Sequence, residues 1–133
     1  MFETEEQKER IILVAVATAD GDDTEQSLDE LEELGQTAGA VTVAKVIQNR
    51  EKVHAGTYVG KGKIEEIKNL AISLDADTVV CDDELSPAQY HNLQDALEIK
   101  VIDRTVMILD IFAKRASTSE GKLQVELAQL RYR

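Results

Sequence analysis

The residues of this chain best suited to chemistry on a phosphate lie in Gly56-Thr57-Tyr58-Val59-Gly60-Lys61-Gly62-Lys63. Gly56, Gly60 and Gly62 let backbone N–H groups approach an anion, and Lys61 and Lys63 add positive charge. The spacing is not that of a P-loop, which needs four residues between its glycines and then Gly-Lys-Ser/Thr. Here Gly56 and Gly60 enclose three residues, Gly56 and Gly62 enclose five, and Ile64 follows Lys63. The pattern is not Gly-x-Gly-x-x-Gly either. Two readings stay open: a phosphate or RNA-backbone contact, or a plain loop of positive-φ turns leading into a helix.

Asp82-Asp83-Glu84 offers hard oxygen ligands of the kind Mg²⁺ takes, but nothing beside it supplies a phosphate partner at a known spacing, so an acidic solvated loop is the favoured reading. Cys81 ends an apolar run and reads as a buried small hydrophobe rather than a thiolate nucleophile. His54 and His91 are the two histidines, and neither has a Cys-x-x-Cys or His-x-x-x-His neighbour that would make a zinc site. The last thirty residues carry Arg104, Lys114, Arg115, Lys122, Arg131 and Arg133. Lys114-Arg115 precedes a Ser117-Thr118-Ser119 joint whose hydroxyls can also bond phosphates; salt bridges to the acidic body are the alternative.

These groups need a scaffold. Ile11 to Ala17 is a continuous apolar run, the mark of a strand buried on both faces. Thr24 is placed to cap a helix striped by Leu28, Leu31 and Leu34 and stopped by Gly35. Ala40 to Gln48 alternates in part and reads as an edge strand. Ile64, Ile67, Leu70, Ala71 and Leu74 stripe a second helix. Asp77 to Cys81 is a third strand. Ser86-Pro87-Ala88-Gln89 is a strong helix start before Tyr90, Leu93 and Leu97. Ile99 to Asp103 is a fourth strand, and Ile108, Leu109, Ile111 and Phe112 follow at helical spacing. This βαβαβαβ order, then a helix, predicts an α/β fold: a small four-stranded parallel sheet with helices on both faces. Ligands of such sheets sit beyond the carboxyl ends of the strands, where the glycine loop, Asp82-Asp83-Glu84 and Asp103-Arg104 fall. Leu123, Leu127 and Leu130 form one stripe at i, i+4 and i+7 and ask for a partner helix, from the same protein or a second copy. No capping glycine or proline closes that stretch, the expectation for a helix that continues.

With 133 residues, 43% hydrophobic and only 4% aromatic, the chain holds one domain with an aliphatic core. It has no apolar run of the roughly 18 residues a membrane span needs. A single cysteine and an acidic amino terminus predict a cytoplasmic protein. The net charge of −11 is uneven: residues 1–44 carry −10, residues 45–63 carry +4, residues 64–103 carry −8 and residues 104–133 carry +3. Two cationic islands in an acidic chain keep RNA contact open, because phosphate neutralisation is local.

Four blocks, in order, resemble the HflX-type GTPases: Gly56 to Ile67, Asp82 to Gln89, Val101 to Thr105 with Ile108 to Ala113, and Gly121 to Leu130. In that family an amino-terminal α/β domain precedes a helical hairpin and a Ras-like G domain. The resemblance implies an α/β domain over residues 1–103, and over residues 104–133 a helical segment, the start of a long coiled-coil helix that is the first part of the hairpin. It implies a cytoplasmic ribosome-binding and regulatory role, with the large ribosomal subunit and its 23S rRNA as partners, in ribosome splitting or rescue under stress. GTP and Mg belong to the G domain, whose motifs this chain lacks, so no GTPase activity is expected of it. Gly56, Gly60, Lys61, Gly62, Lys63, Arg104, Lys114, Arg115 and Lys122 would meet rRNA phosphates. The G domain and the second hairpin helix of the parent are further implied partners, beside self-association through Leu123, Leu127 and Leu130. The alternative is an ATP-binding or ATP-hydrolysing domain using Gly56 to Lys63 and Asp82-Asp83.

Overall fold

The computed structural model describes residues 8–18 and 23–115. Its elements alternate: β1 (Glu9–Ala17), α1 (Thr24–Thr37), β2 (Ala40–Asn49), α2 (Lys61–Leu74), β3 (Thr78–Cys81), α3 (Pro87–Leu97), β4 (Lys100–Asp103) and α4 (Arg104–Arg115). The strands form one four-stranded sheet in the order β2-β1-β3-β4, every pairing parallel. This is the expected α/β architecture. The coiled-coil start, with Leu123, Leu127 and Leu130, lies outside the described residues.

The apolar run of β1 is central because both its faces are covered. Ile12, Val14 and Val16 face Val46, Ile64, Ile67, Val79, Leu93 and Leu97, the side of α2 and α3. Ile11, Leu13 and Ala15 face Leu28, Leu31, Val80, Ile102 and Met107, the side of α1 and α4. Each such aliphatic side chain stabilises the fold by about 1.5–3 kcal/mol through removal from water. β2 is an edge strand, as its polar exit predicts. Its alternation is only partial because Ile11 pairs Thr42 while Ile12 pairs Ala44, leaving Val43 as a bulge that shifts the inward register.

Two local expectations are corrected. Gly35 does not stop α1, which runs on to Thr37; a Cβ there would lie 3.0 Å from Ile11 Cδ1, so the glycine admits close packing of helix on sheet. The positive φ that turns the chain belongs to Gly39, at 92°. Thr24 is not the cap either: Asp23 holds that position, without a side-chain hydrogen bond. In α4 the inward side chains are Met107, Val106 and Ile111, whereas Ile108, Leu109 and Phe112 are 38%, 58% and 59% exposed. The Ser86 cap is as expected: its hydroxyl accepts from the Gln89 N–H while the Gln89 side chain accepts from the Ser86 N–H. No helix among the described residues is long and apolar enough to cross a membrane.

Candidate functional site

The carboxyl ends of the strands form a rim with two chemically different halves. Over β3 and β4 it is acidic, and three of its carboxylates, those of Asp82, Asp83 and Asp103, are engaged. Asp82 takes Arg104 at 2.6 Å and the Ser27 hydroxyl at 2.6 Å; Arg104 also donates to the Ser27 carbonyl at 2.9 Å. Asp83 accepts from the Tyr58 hydroxyl at 2.8 Å. Asp103, buried, accepts from the Leu85 N–H at 2.9 Å and from the Val106 N–H at 3.0 Å, so it caps α4 and fixes the loop after β3. Among the described residues no group of three His, Cys, Asp or Glu side chains could hold a metal.

That environment sets the titration of its neighbours. Burial, then the charge of Asp83, pushes the Tyr58 phenol far up. Burial, then the charge of Asp103, does the same to the Cys81 thiol. Tyr90, under burial and the same Asp103 charge, is raised to about 12. Ionisation of all three is opposed because it would place an anion in an apolar layer beside carboxylates.

Over β2 and α2 the rim is cationic. Gly60 is the N-cap of α2, extended rather than left-handed, so Lys61, Gly62 and Lys63 lie in the first helical turn and their N–H groups face the rim. The positive φ in this loop belongs to Tyr58, at 69°, and to none of Gly56, Gly60 or Gly62. The expected series of positive-φ glycine turns is therefore not what the loop contains. Gly60 instead allows a close approach. Its N–H donates to Gln48 Oε1 at 2.8 Å, and a Cβ there would lie 2.9 Å from an Arg50 guanidinium nitrogen. Arg50 is steadied by its Nε donating to the Lys52 carbonyl at 3.1 Å. Arg50, Lys52 and Lys61 form no ion pair among the described residues. Lys63 does, with Glu66 at 3.0 Å.

The sequence-predicted site residues therefore divide. Gly56, Gly60, Lys61, Gly62 and Lys63 come together at one corner. Arg104 is held at the other half of the rim by Asp82. Lys114 and Arg115 are in the last turn of α4, with side chains outside the description, and Lys122 lies beyond the described residues. Gln48, Arg50 and His54 were not singled out; the +4 charge of residues 45–63 pointed to Arg50, and nothing in the sequence pointed to Gln48 or His54.

A family model for the GTP-binding GTPase N-terminal domain matches residues 25–113, from the first turn of α1 into the last turn of α4. The chain belongs to the HflX-type GTPase family, as an amino-terminal domain. It is 68% identical over its whole length to the GTPase HflX of Lacrimispora saccharolytica and 44% identical over 99% of its length to that of Escherichia coli. It spans 31% of each of those relatives. Among solved structures, the complex of SsGBP with GDP resembles it with a TM-score of 0.61 at 24% identity, over 93% of this chain and 35% of that one. A GTP-binding protein from Sulfolobus solfataricus in complex with GDP does so with a TM-score of 0.57 at 23% identity, over 91% and 36%. At those identities the likeness concerns the fold.

Proposed function

We propose that this HflX-type domain is a ribosome-docking and regulatory module, acting on the large ribosomal subunit on behalf of a GTPase whose GTP and Mg²⁺ sites lie in a separate G domain. The full protein's role is then ribosome splitting or rescue under stress, and the domain itself binds rather than transforms. The observation that carries this reading is the cationic corner of Arg50, Lys52 and Lys61, without ion-pair partners among the described residues of a chain with net charge −11. Exposed amides at the start of α2 favour an anion at that corner. Lys114 and Arg115 at the end of α4, and Lys122 further along the chain, extend the reading toward 23S rRNA. Arg104 fits it less well, because its guanidinium neutralises Asp82.

The test is co-sedimentation of an HflX-type parent with large subunits. Arg50→Glu with Lys61→Glu, and separately Lys114→Glu with Arg115→Glu, are expected to weaken association about tenfold or more. Lys63→Gln, which removes a cation already paired, is expected to change it little. Unchanged pelleting of both double variants would overturn the assignment.

A further inference from the structure

The turn from His54 to Tyr58 is closed by an imidazole. His54 Nδ1 lies 3.1 Å from the Gly56 nitrogen and 3.2 Å from the Thr57 nitrogen. Two backbone N–H donors converge on one ring nitrogen, so that nitrogen offers a lone pair and the ring proton sits on Nε2. The arrangement is that of an Asx turn, in which an Asn or Asp oxygen accepts from N–H groups two and three residues on. Here a nitrogen that can be protonated does the same work. Thr57 Oγ1 is also 3.2 Å from Nδ1, but its own proton goes to the Val59 carbonyl at 2.7 Å.

The other ties on this turn do not titrate. His54 and Tyr58 exchange backbone hydrogen bonds at 3.0 and 2.8 Å. Gln89 Nε2 donates to the His54 carbonyl and Asn92 Nδ2 to the Gly56 carbonyl, both at 2.9 Å. They hold Tyr58 at its left-handed φ, a conformation that costs a side-chain-bearing residue about 1–2 kcal/mol in the absence of such support.

We propose that His54 is a proton-operated latch: protonation of Nδ1 removes the acceptor for Gly56 and Thr57 and loosens that stretch of the turn before the Gly60–Lys61 corner, while the ties that do not titrate keep Tyr58 seated. A protonated Nδ1 would find an acceptor in Thr57 Oγ1, while the Gly56 and Thr57 amides would lose theirs. α3 turns neutral Gln89 and Asn92 toward the turn, with His91 and Asp95 as the ionisable residues beside Asn92 on that helix. The loop after β3 contributes Asp83, engaged by Tyr58, and the chain entering the turn carries Glu51 and Lys52. None of these is hydrogen-bonded to the ring among the described residues. The latch acts on the corner assigned to docking, and only its effect on binding rests on that assignment.

The experiment is ¹⁵N NMR on this chain. At neutral pH the His54 ring is expected as the Nε2–H tautomer. Amide protection factors of Gly56 and Thr57 should fall about tenfold or more as the ring titrates, followed by its own ¹⁵N shifts. His54→Asn, which supplies a neutral acceptor in the Asx geometry, should keep the protection and abolish its pH dependence. His54→Ala should show low protection throughout. An Nδ1–H tautomer at neutral pH, protection unchanged across the titration, or an Asn variant that follows the wild-type course would each overturn the latch. Should the Ala variant fail to fold, the tautomer and the wild-type titration decide alone. Subunit binding that ignores pH while the turn loosens would count against the docking reading and leave the latch standing.

Discussion

Arg104 turns inward, onto Asp82 and Ser27, partners 22 and 77 residues away along the chain. Nothing local in Val101-Ile102-Asp103-Arg104 announces that pairing, which is why the residue read as a phosphate-binding candidate with a salt bridge only as the alternative. Asp103 was legible as the end of a strand but not as a cap, since its use depends on two N–H groups, Leu85 and Val106, that the fold brings to it. Replacing Asp103 by Ala leaves both without acceptors. A loss of about 2 kcal/mol or more is expected, seen as a lower urea midpoint at unchanged slope. Cys81 was legible as a buried residue from its apolar strand alone. The alkaline limb of stability follows from burial first, and from the Asp103 charge second. Tyr90 is neutral in the folded state up to about 12, above its unfolded value. Its contribution is therefore complete below the ordinary phenol range and lost as pH rises through that range toward the folded value. Urea midpoints are expected to fall steadily there, and Tyr90→Phe should flatten the fall.

At the level of elements, periodicity and caps carried most of the information. The stripe Ile64, Ile67, Ala71 is buried as its spacing predicts, and Ser86 makes both halves of its capping box. Ser86→Ala removes the acceptor of the Gln89 N–H and should cost about 1 kcal/mol, measurable as a lower melting temperature with unchanged helix content below the transition. Packing was less legible. Gly35 reads locally as a stop and is used as a close approach to Ile11, a fact set by the distance between two elements. The glycine loop was found for the right composition and the wrong geometry: its left-handed residue is Tyr58, held by a hydroxyl bond to Asp83 that is 25 residues away. Ile108, Leu109 and Phe112 matched a helical spacing that does not state which face turns inward.

On the scale of the molecule, the cationic segment 45–63 and the acidic segment 64–103 are brought to opposite halves of one rim. Asp82 and Asp83, the carboxylate pair that would place Mg²⁺ beside the Gly60 corner, are engaged by Arg104 and Tyr58. Titration calorimetry of this chain with Mg-ATP is accordingly expected to give no binding heat at millimolar ligand; a saturable isotherm would favour the nucleotide-binding reading. For the docking reading, each cation removed from the Arg50–Lys61 corner should lower the salt dependence of subunit binding by about one in the slope of log K against log salt.

The bulge at Val43 bears on the life of the molecule at high concentration. A foreign strand seeking to lengthen the sheet beyond its outermost member would find the ladder broken near the middle of that strand, one register before the break and another after it. Lys45, two residues on and paired to Asp29 and Glu32, would have to surrender those partners to a newcomer. The exposed margin thus resists fibril-like growth, and a variant straightened by deletion of Val43 would be the one to watch for aggregation.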